Sequence, residues 1–341
     1  MTRAREARKF VDFPAPGGNL KPTIRFLAVT LLACLVSFAH AATATVINVV
    51  VGHHPAYVDL NNSIGRVYVA NVADKTISVM DGNTFRIIDT IALGGRPSGL
   101  SSDPVTNRFY VSVPGGVAVY DGSDALLTTI AISGTPTVLA FNAAPNRLYV
   151  QDSANAQVHV VDGVSDTVIA DLPVPNRGNG IAVDHANNVI YVSTSSVTGG
   201  SVLVFDGVSN QLVNTFTLPG NPSFSYLAFD AREGEANALY AITRSAGRSG
   251  FVALDASTGA LLDTVPNLGN PGSGLAIRGR REALTNDGKG KMYVLNSCCP
   301  TVSESVNVGK NPAGMALARG PGWVFIANSG GNTVSVVEGF I

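Results

Sequence analysis

The chain has 341 residues, with 14% charged side chains, 36 Gly, 18 Pro and a formal net charge of −1, so its length fits one large domain or two ordinary ones. Without a concentrated basic stripe it is a poor nucleic-acid binder, because phosphate neutralisation supplies most of that affinity, and its three Cys exclude a disulfide framework. Short Val-, Ile-, Thr- and Ser-rich runs separated by Gly and Pro suit many short strands joined by tight turns, and no amphipathic helical stretch stands out.

Residues 1–41 read as an export signal. Arg3, Arg5, Arg8, Lys9, Lys21 and Arg25 precede an apolar run from Phe26 to Ala39, and Ala39-His40-Ala41 forms an A-x-A cleavage site. The run is shorter than the roughly 20 residues a bilayer-spanning helix needs, so no transmembrane anchor is expected after cleavage. Leu31-Leu32-Ala33-Cys34 resembles a lipoprotein cleavage site, which leaves lipid attachment at Cys34 as the alternative. The expected location is therefore periplasmic or secreted. Removing the leader takes away six of 23 basic and two of 24 acidic residues, leaving 17 and 22 and a more acidic domain over 42–341.

That domain is a repeat of about 40 residues, the period of propeller blades. A shared aromatic recurs at Tyr68, Tyr110, Tyr149, Tyr191, Tyr240, Tyr293 and Phe325, each in a β-rich run. Upstream of most lies a Gly-x-Pro type turn, as at Gly95–Pro97, Gly134–Pro136 and Gly309–Pro312, followed by an apolar strand. Downstream, a third strand ends in Asp81-Gly82, Asp121-Gly122, Asp162-Gly163 or Asp206-Gly207, where the carboxylate can cap a tight turn, and a fourth strand completes the unit. The prediction is an all-β, seven-bladed propeller of four-stranded antiparallel blades. The last repeat stops after its third strand, so Thr43–Val51 is expected to supply the outermost strand of blade 7 and close the ring. The stretch from Tyr293 to Gly309 is short, which predicts a blade 6 lacking one full strand, with Ser297–Pro300 turning at the channel mouth.

The runs Tyr68-Val69-Ala70-Asn71, Tyr110-Val111-Ser112, Tyr149-Val150-Gln151-Asp152, Tyr191-Val192-Ser193-Thr194, Tyr293-Val294-Leu295-Asn296 and Phe325-Ile326-Ala327-Asn328 resemble the YVTN family of β-propeller repeats. The likeness spans the domain. It implies the fold and little about function, since related propellers include surface-layer proteins, lactonases and quinoprotein subunits.

In a propeller the turns entering the innermost strands gather at one mouth of the central channel. Here they carry His53 and His54, Arg96, Arg177 and Lys310, with no acid among them. Blades 7, 1 and 2 are consecutive, so Lys310, the histidines and Arg96 are expected to form an arc of positive charge for a small anionic ligand or an acidic segment of a protein partner. Two histidines without a third ligand do not make a metal site, and no cofactor is identified. Cys298 and Cys299 are the only other cysteines and form a candidate redox pair, strained if bonded because adjacent Cα atoms sit closer than disulfides prefer. His159 reads as packing between blades, and Arg278, Arg280, Arg281, Lys289 and Lys291 as a solvated cluster on the far face.

Three functions remain open on the sequence. A non-catalytic binding or cell-surface scaffold leads, because no nucleophile elbow or catalytic group set is present. The alternative is a lactonase or lyase-like enzyme using His53 or His54 at the mouth, which an acid beside His53 would favour. A quinoprotein-type dehydrogenase subunit has less support, Trp323 being the only Trp.

Overall fold

A computed structural model describes residues 44–339, apart from 176, 197, 232–236, 246–247, 267, 269–273, 280–281, 297–300, 319 and 321. Its strands form seven four-stranded antiparallel sheets, each a meander in sequence order except the last. In that sheet Pro312–Ala318, Trp323–Asn328 and Thr333–Glu338 are completed by the N-terminal strand Thr45–Val50. Thr45 faces Glu338 and Val50 faces Thr333, so the ring is closed by pairing the two ends of the domain.

The core lies between blades rather than within them. Alternation puts one side of each strand against the preceding blade and the other against the following one, and seven apolar clusters result, one per junction. At the junction of blades 1 and 2, Tyr68 stacks on Phe109 with ring centroids 4.1 Å apart, and Phe109 stacks on Tyr120. The recurrent aromatic is thus the wedge that fills the space between diverging blades. The turn aspartates act as their chemistry suggests: Asp81 Oδ1 accepts from the backbone N–H groups of Asn83 and Thr84, and Asp121, Asp162, Asp206 and Asp255 repeat the pattern. Arginines opening the second strands reach across to the next blade at the same end. Arg66 pairs with Asp124 at 2.5 Å, Arg108 with Asp166 at 3.3 Å, and Arg147 donates to the carbonyl of Gly207.

Three expectations need correction. Blade 6 is complete, with strands Leu275–Gly279, Glu282–Asn286, Lys291–Asn296 and Thr301–Asn307. Tyr293 lies on its third strand, paired with Thr285 and Ser305, whereas the aromatics of the other blades lie on second strands. The second strand of blade 6 has no aromatic, so the motif marked the wrong strand and the remainder seemed too short. For the same reason Lys289 lies in the loop joining second and third strands, at the mouth face, and Lys291 begins the third strand there; Arg280 and Arg281 lie outside the described residues. His159 shares its register position with Ser78 and Ser335, each opposite a second-strand Val or Ile. It is tied within its own blade: Nδ1 sits 2.6 Å from Asp171 and Nε2 3.4 Å from the fully buried carboxylate of Asp152. In blades 1 and 7 an Asn–Ser hydrogen bond does the same work, Asn71 to Ser78 and Asn328 to Ser335.

Candidate functional site

The entering turns and the loops joining second and third strands share one face, where backbone hydrogen bonds staple them together: Val72 N–H to His54, Ser153 N–H to Thr135 and Ser329 N–H to Asn311. His54, Asn221 and Asn311 each precede the turn proline with φ of 54°, 50° and 50°, a left-handed conformation that Asn and His tolerate better than most residues. His54 is therefore first a turn residue, and its N–H donates to Asn332 Oδ1 of blade 7 at 3.1 Å.

His53 is 70% exposed and its Nδ1 lies 2.9 Å from Asp74, which also accepts the His53 backbone N–H at 2.7 Å. These hydrogen bonds, backbone first, hold the Asp74 carboxyl below the usual range. The arc is thus not free of acid. Arg96 and Lys310 are exposed, and neither they nor His53 contribute to the walls of the two cavities at the mouth. His54 does line one of them. Arg177 opens the innermost strand of blade 4, paired with Ser195. Cys298 and Cys299 lie outside the described residues.

What the channel does present is a cup of about 520 Å³ bordered by blades 1 to 5. Its wall carries the hydroxyls of Ser98, Thr137, Ser153, Ser195, Ser223 and Ser225, together with Asn179. Several of these hydroxyls donate to main-chain carbonyls, Ser98 to Pro136 at 2.7 Å and Ser223 to Arg244 at 3.2 Å, which leaves their oxygens as acceptors. Tyr57 and Tyr226 stand at the cup from blades 1 and 5, and Arg244 is the only cation among the described residues that line it. Among the described residues no carboxylate lines the cup or pairs with Arg244. Burial raises both tyrosine hydroxyls above the usual range; for Tyr226 the neighbouring Tyr57 adds to the rise and Arg244 opposes it. Both hydroxyls are therefore neutral donors at physiological pH.

Bulges aim these side chains. In the innermost strands of blades 1, 3, 4, 5 and 7 the register slips by one residue near the mouth, which turns an extra side chain toward the axis. Asn179 and Tyr226 are such residues in blades 4 and 5. Tyr226 has φ of 44° and remains 39% exposed, a conformation that costs a non-glycine residue about 1–3 kcal/mol and clusters at binding sites. Tyr226→Gly should therefore leave the melting temperature within a few degrees of wild type, since relief of the backbone offsets the lost ring contacts; a collapse of the fold would show that the ring is a structural prop. Sequence reasoning missed this wall, although one sign of it was legible: a hydroxyl residue follows the turn proline in Pro97-Ser98, Pro136-Thr137 and Pro222-Ser223.

Fold and cup together define a closed seven-bladed β-propeller with a hydroxyl-lined cup at its channel mouth, in which Arg244 is the one cation among the described lining residues. No protein-family model matches the chain, and no curated protein matches it. Among solved structures it is similar to Kuenenia stuttgartiensis hydrazine synthase, with TM-score 0.73 and 14% identity over 90% of this chain and 99% of that one. It is also similar to Chaetomium thermophilum Raptor, with TM-score 0.74 and 14% identity over 86% of this chain and 28% of that one. At such identities the likeness concerns the fold alone.

Proposed function

We propose that this chain is an exported, non-catalytic binding protein, built of repeats of the YVTN kind, that captures a small anionic molecule at the channel mouth. The observation that carries the reading is the cup itself. One arginine without a carboxylate partner among the described residues stands in a concave, hydroxyl-lined site bordered by two neutral tyrosines. A guest carboxylate would take charge-assisted hydrogen bonds from the guanidinium, the strong kind. Its remaining donors would meet the serine and threonine lone pairs.

The enzyme reading has one observation in its favour, the Asp74 carboxylate against His53. That pair is exposed and stands outside the cup wall, and Asp74 also holds the His53 backbone, so it works as a turn clamp. Export and the YVTN affiliation rest on the leader pattern and on the motif runs that occupy second strands, such as Arg66–Asn71 and Trp323–Asn328.

Calorimetry with small carboxylates tests the reading. Arg244→Ala should weaken binding by roughly ten- to a hundredfold, the loss of a charged hydrogen bond, while Arg96→Ala, Lys310→Ala and His53→Ala should change it less than threefold. Affinity untouched by Arg244→Ala but lost with Arg96 and Lys310 would return the site to the outer arc.

A further inference from the structure

The hydroxyls of the cup are committed in one direction. A serine or threonine hydroxyl carries a single proton, and a carbonyl can only accept, so the sense of each bond to the main chain is fixed. Ser98 gives its proton to Pro136 at 2.7 Å, Thr137 to Gln151 at 3.3 Å and Ser153 to Thr135 at 3.3 Å. Ser223 and Ser225 give theirs to Arg244 and Ile242, at 3.2 Å and 3.4 Å. All of these hydroxyls border the cup, and what they have left for a partner is lone pairs. Against them stand donors of another kind: the Arg244 guanidinium, the Asn179 amide and the hydroxyls of Tyr57 and Tyr226.

Resting on the proposed anion site, we infer that the guest is a sugar acid, with a single carboxylate held at Arg244 and several hydroxyl groups on the rest of the molecule. An acceptor oxygen that loses its water on binding must receive a donor from the guest or is left unpaired at a cost. A hydrocarbon body brings no donor. An ammonium brings three, but no carboxylate lines the cup among the described residues and Arg244 repels it, so its charge would be desolvated without a counter-charge. Among neutral donors, a hydroxyl can give its proton to a wall oxygen and accept from Asn179 or a tyrosine at the same atom. The tyrosines suit the same guest. A sugar ring shows C–H groups on its faces and hydroxyls at its edge, and a tyrosine is likewise apolar in the ring and polar at the tip. The cup's volume of about 520 Å³ falls within the roughly 300–1,000 Å³ of small-molecule sites.

The test titrates the protein by calorimetry at pH 7 with D-gluconate, D-glucuronate and D-galacturonate, and with three controls that each remove one feature: hexanoate, D-glucose and D-glucosamine. The best sugar acid should bind at least roughly tenfold more tightly than hexanoate, the worth of two or more neutral hydrogen bonds, and at least roughly tenfold more tightly than glucose, the worth of one charged bond. Glucosamine should bind no better than glucose. Arg244→Gln should erase the advantage of the acid over glucose, while Ser98→Ala should weaken both alike, by roughly two- to tenfold. Hexanoate binding as tightly as the best sugar acid would overturn the inference and leave the anion site standing. Glucose or glucosamine binding as tightly as the best sugar acid would overturn the carboxylate at Arg244, and no binding by any of the six would overturn the inference together with the function it rests on.

Discussion

Deleting residues 43–51 should lower the melting temperature by roughly 10 °C or more and make the protein prone to association. The strand Thr45–Val50 contributes six facing pairs to blade 7, and at a few tenths to 1 kcal/mol per pair its loss removes on the order of 4 kcal/mol, equivalent to several degrees or more for a domain of this size. Further contacts go with it. Ser335 loses its bond to Asn48 at 2.7 Å, and the junctions on either side lose the packing of Val46, Val49 and Val51. The newly exposed edge, Thr333–Glu338, is a row of β-branched residues with unpaired backbone groups, the kind of edge that recruits other chains. The six other blades each carry a register slip between third and fourth strands, which disrupts their outer edges, whereas the pairing of Thr45–Val50 with Thr333–Glu338 is unbroken. Differential scanning calorimetry and light scattering of the truncated chain make the measurement, and a synthetic peptide of residues 43–51 added in excess should restore part of the melt. A truncated protein that melts like the full domain would show that the ring holds without its N-terminal strand.

Asp59→Asn should stabilise the protein at neutral pH. Asp59 lies on the innermost strand of blade 1 opposite Tyr68, a position taken by Ala140, Ala182, Ala228 and Ala316 opposite the aromatics of other blades. Its carboxyl accepts N–H groups from Ser102 at 2.7 Å and Leu60 at 2.8 Å, yet burial outweighs these bonds and pushes its pKa up to about 6. The folded protein therefore favours the neutral acid, while the unfolded chain ionises near pH 4. Stability from this group is fully present below about pH 4, falls as pH rises toward 6 and stays reduced above it, a difference of about 3 kcal/mol. Asn resembles the neutral acid in shape and in keeping an oxygen for the neighbouring N–H groups. Its gain should be about 5 °C at pH 7 and close to nothing at pH 4. Equal melts of the two proteins at both pH values would mean that Asp59 is solvated in the folded state.

The blade count, the antiparallel meanders and the turn caps were legible in the residues because each depends on chemistry local to one repeat, and the ring closure because the last repeat stops one strand short while a β-rich segment precedes the first. A Gly-x-Pro turn, an Asp before a tight hairpin and an aromatic amid β-branched neighbours act within about 40 residues and recur, so repetition separates them from chance. Blade 6 shows where that reasoning fails: its aromatic, Tyr293, serves on the third strand, and a motif says nothing about which strand of a meander carries it. The cup was decided by tertiary structure. Tyr57, Tyr226 and Arg244 come from blades 1 and 5 and border one cavity only because the ring brings their strands around a common axis. Which side chains face that axis depends on one-residue bulges in the innermost strands. A slip of one residue exchanges the two faces of a strand, so the same sequence with an unbulged strand would turn Tyr226 away from the channel, and nothing local to the repeat announces the slip.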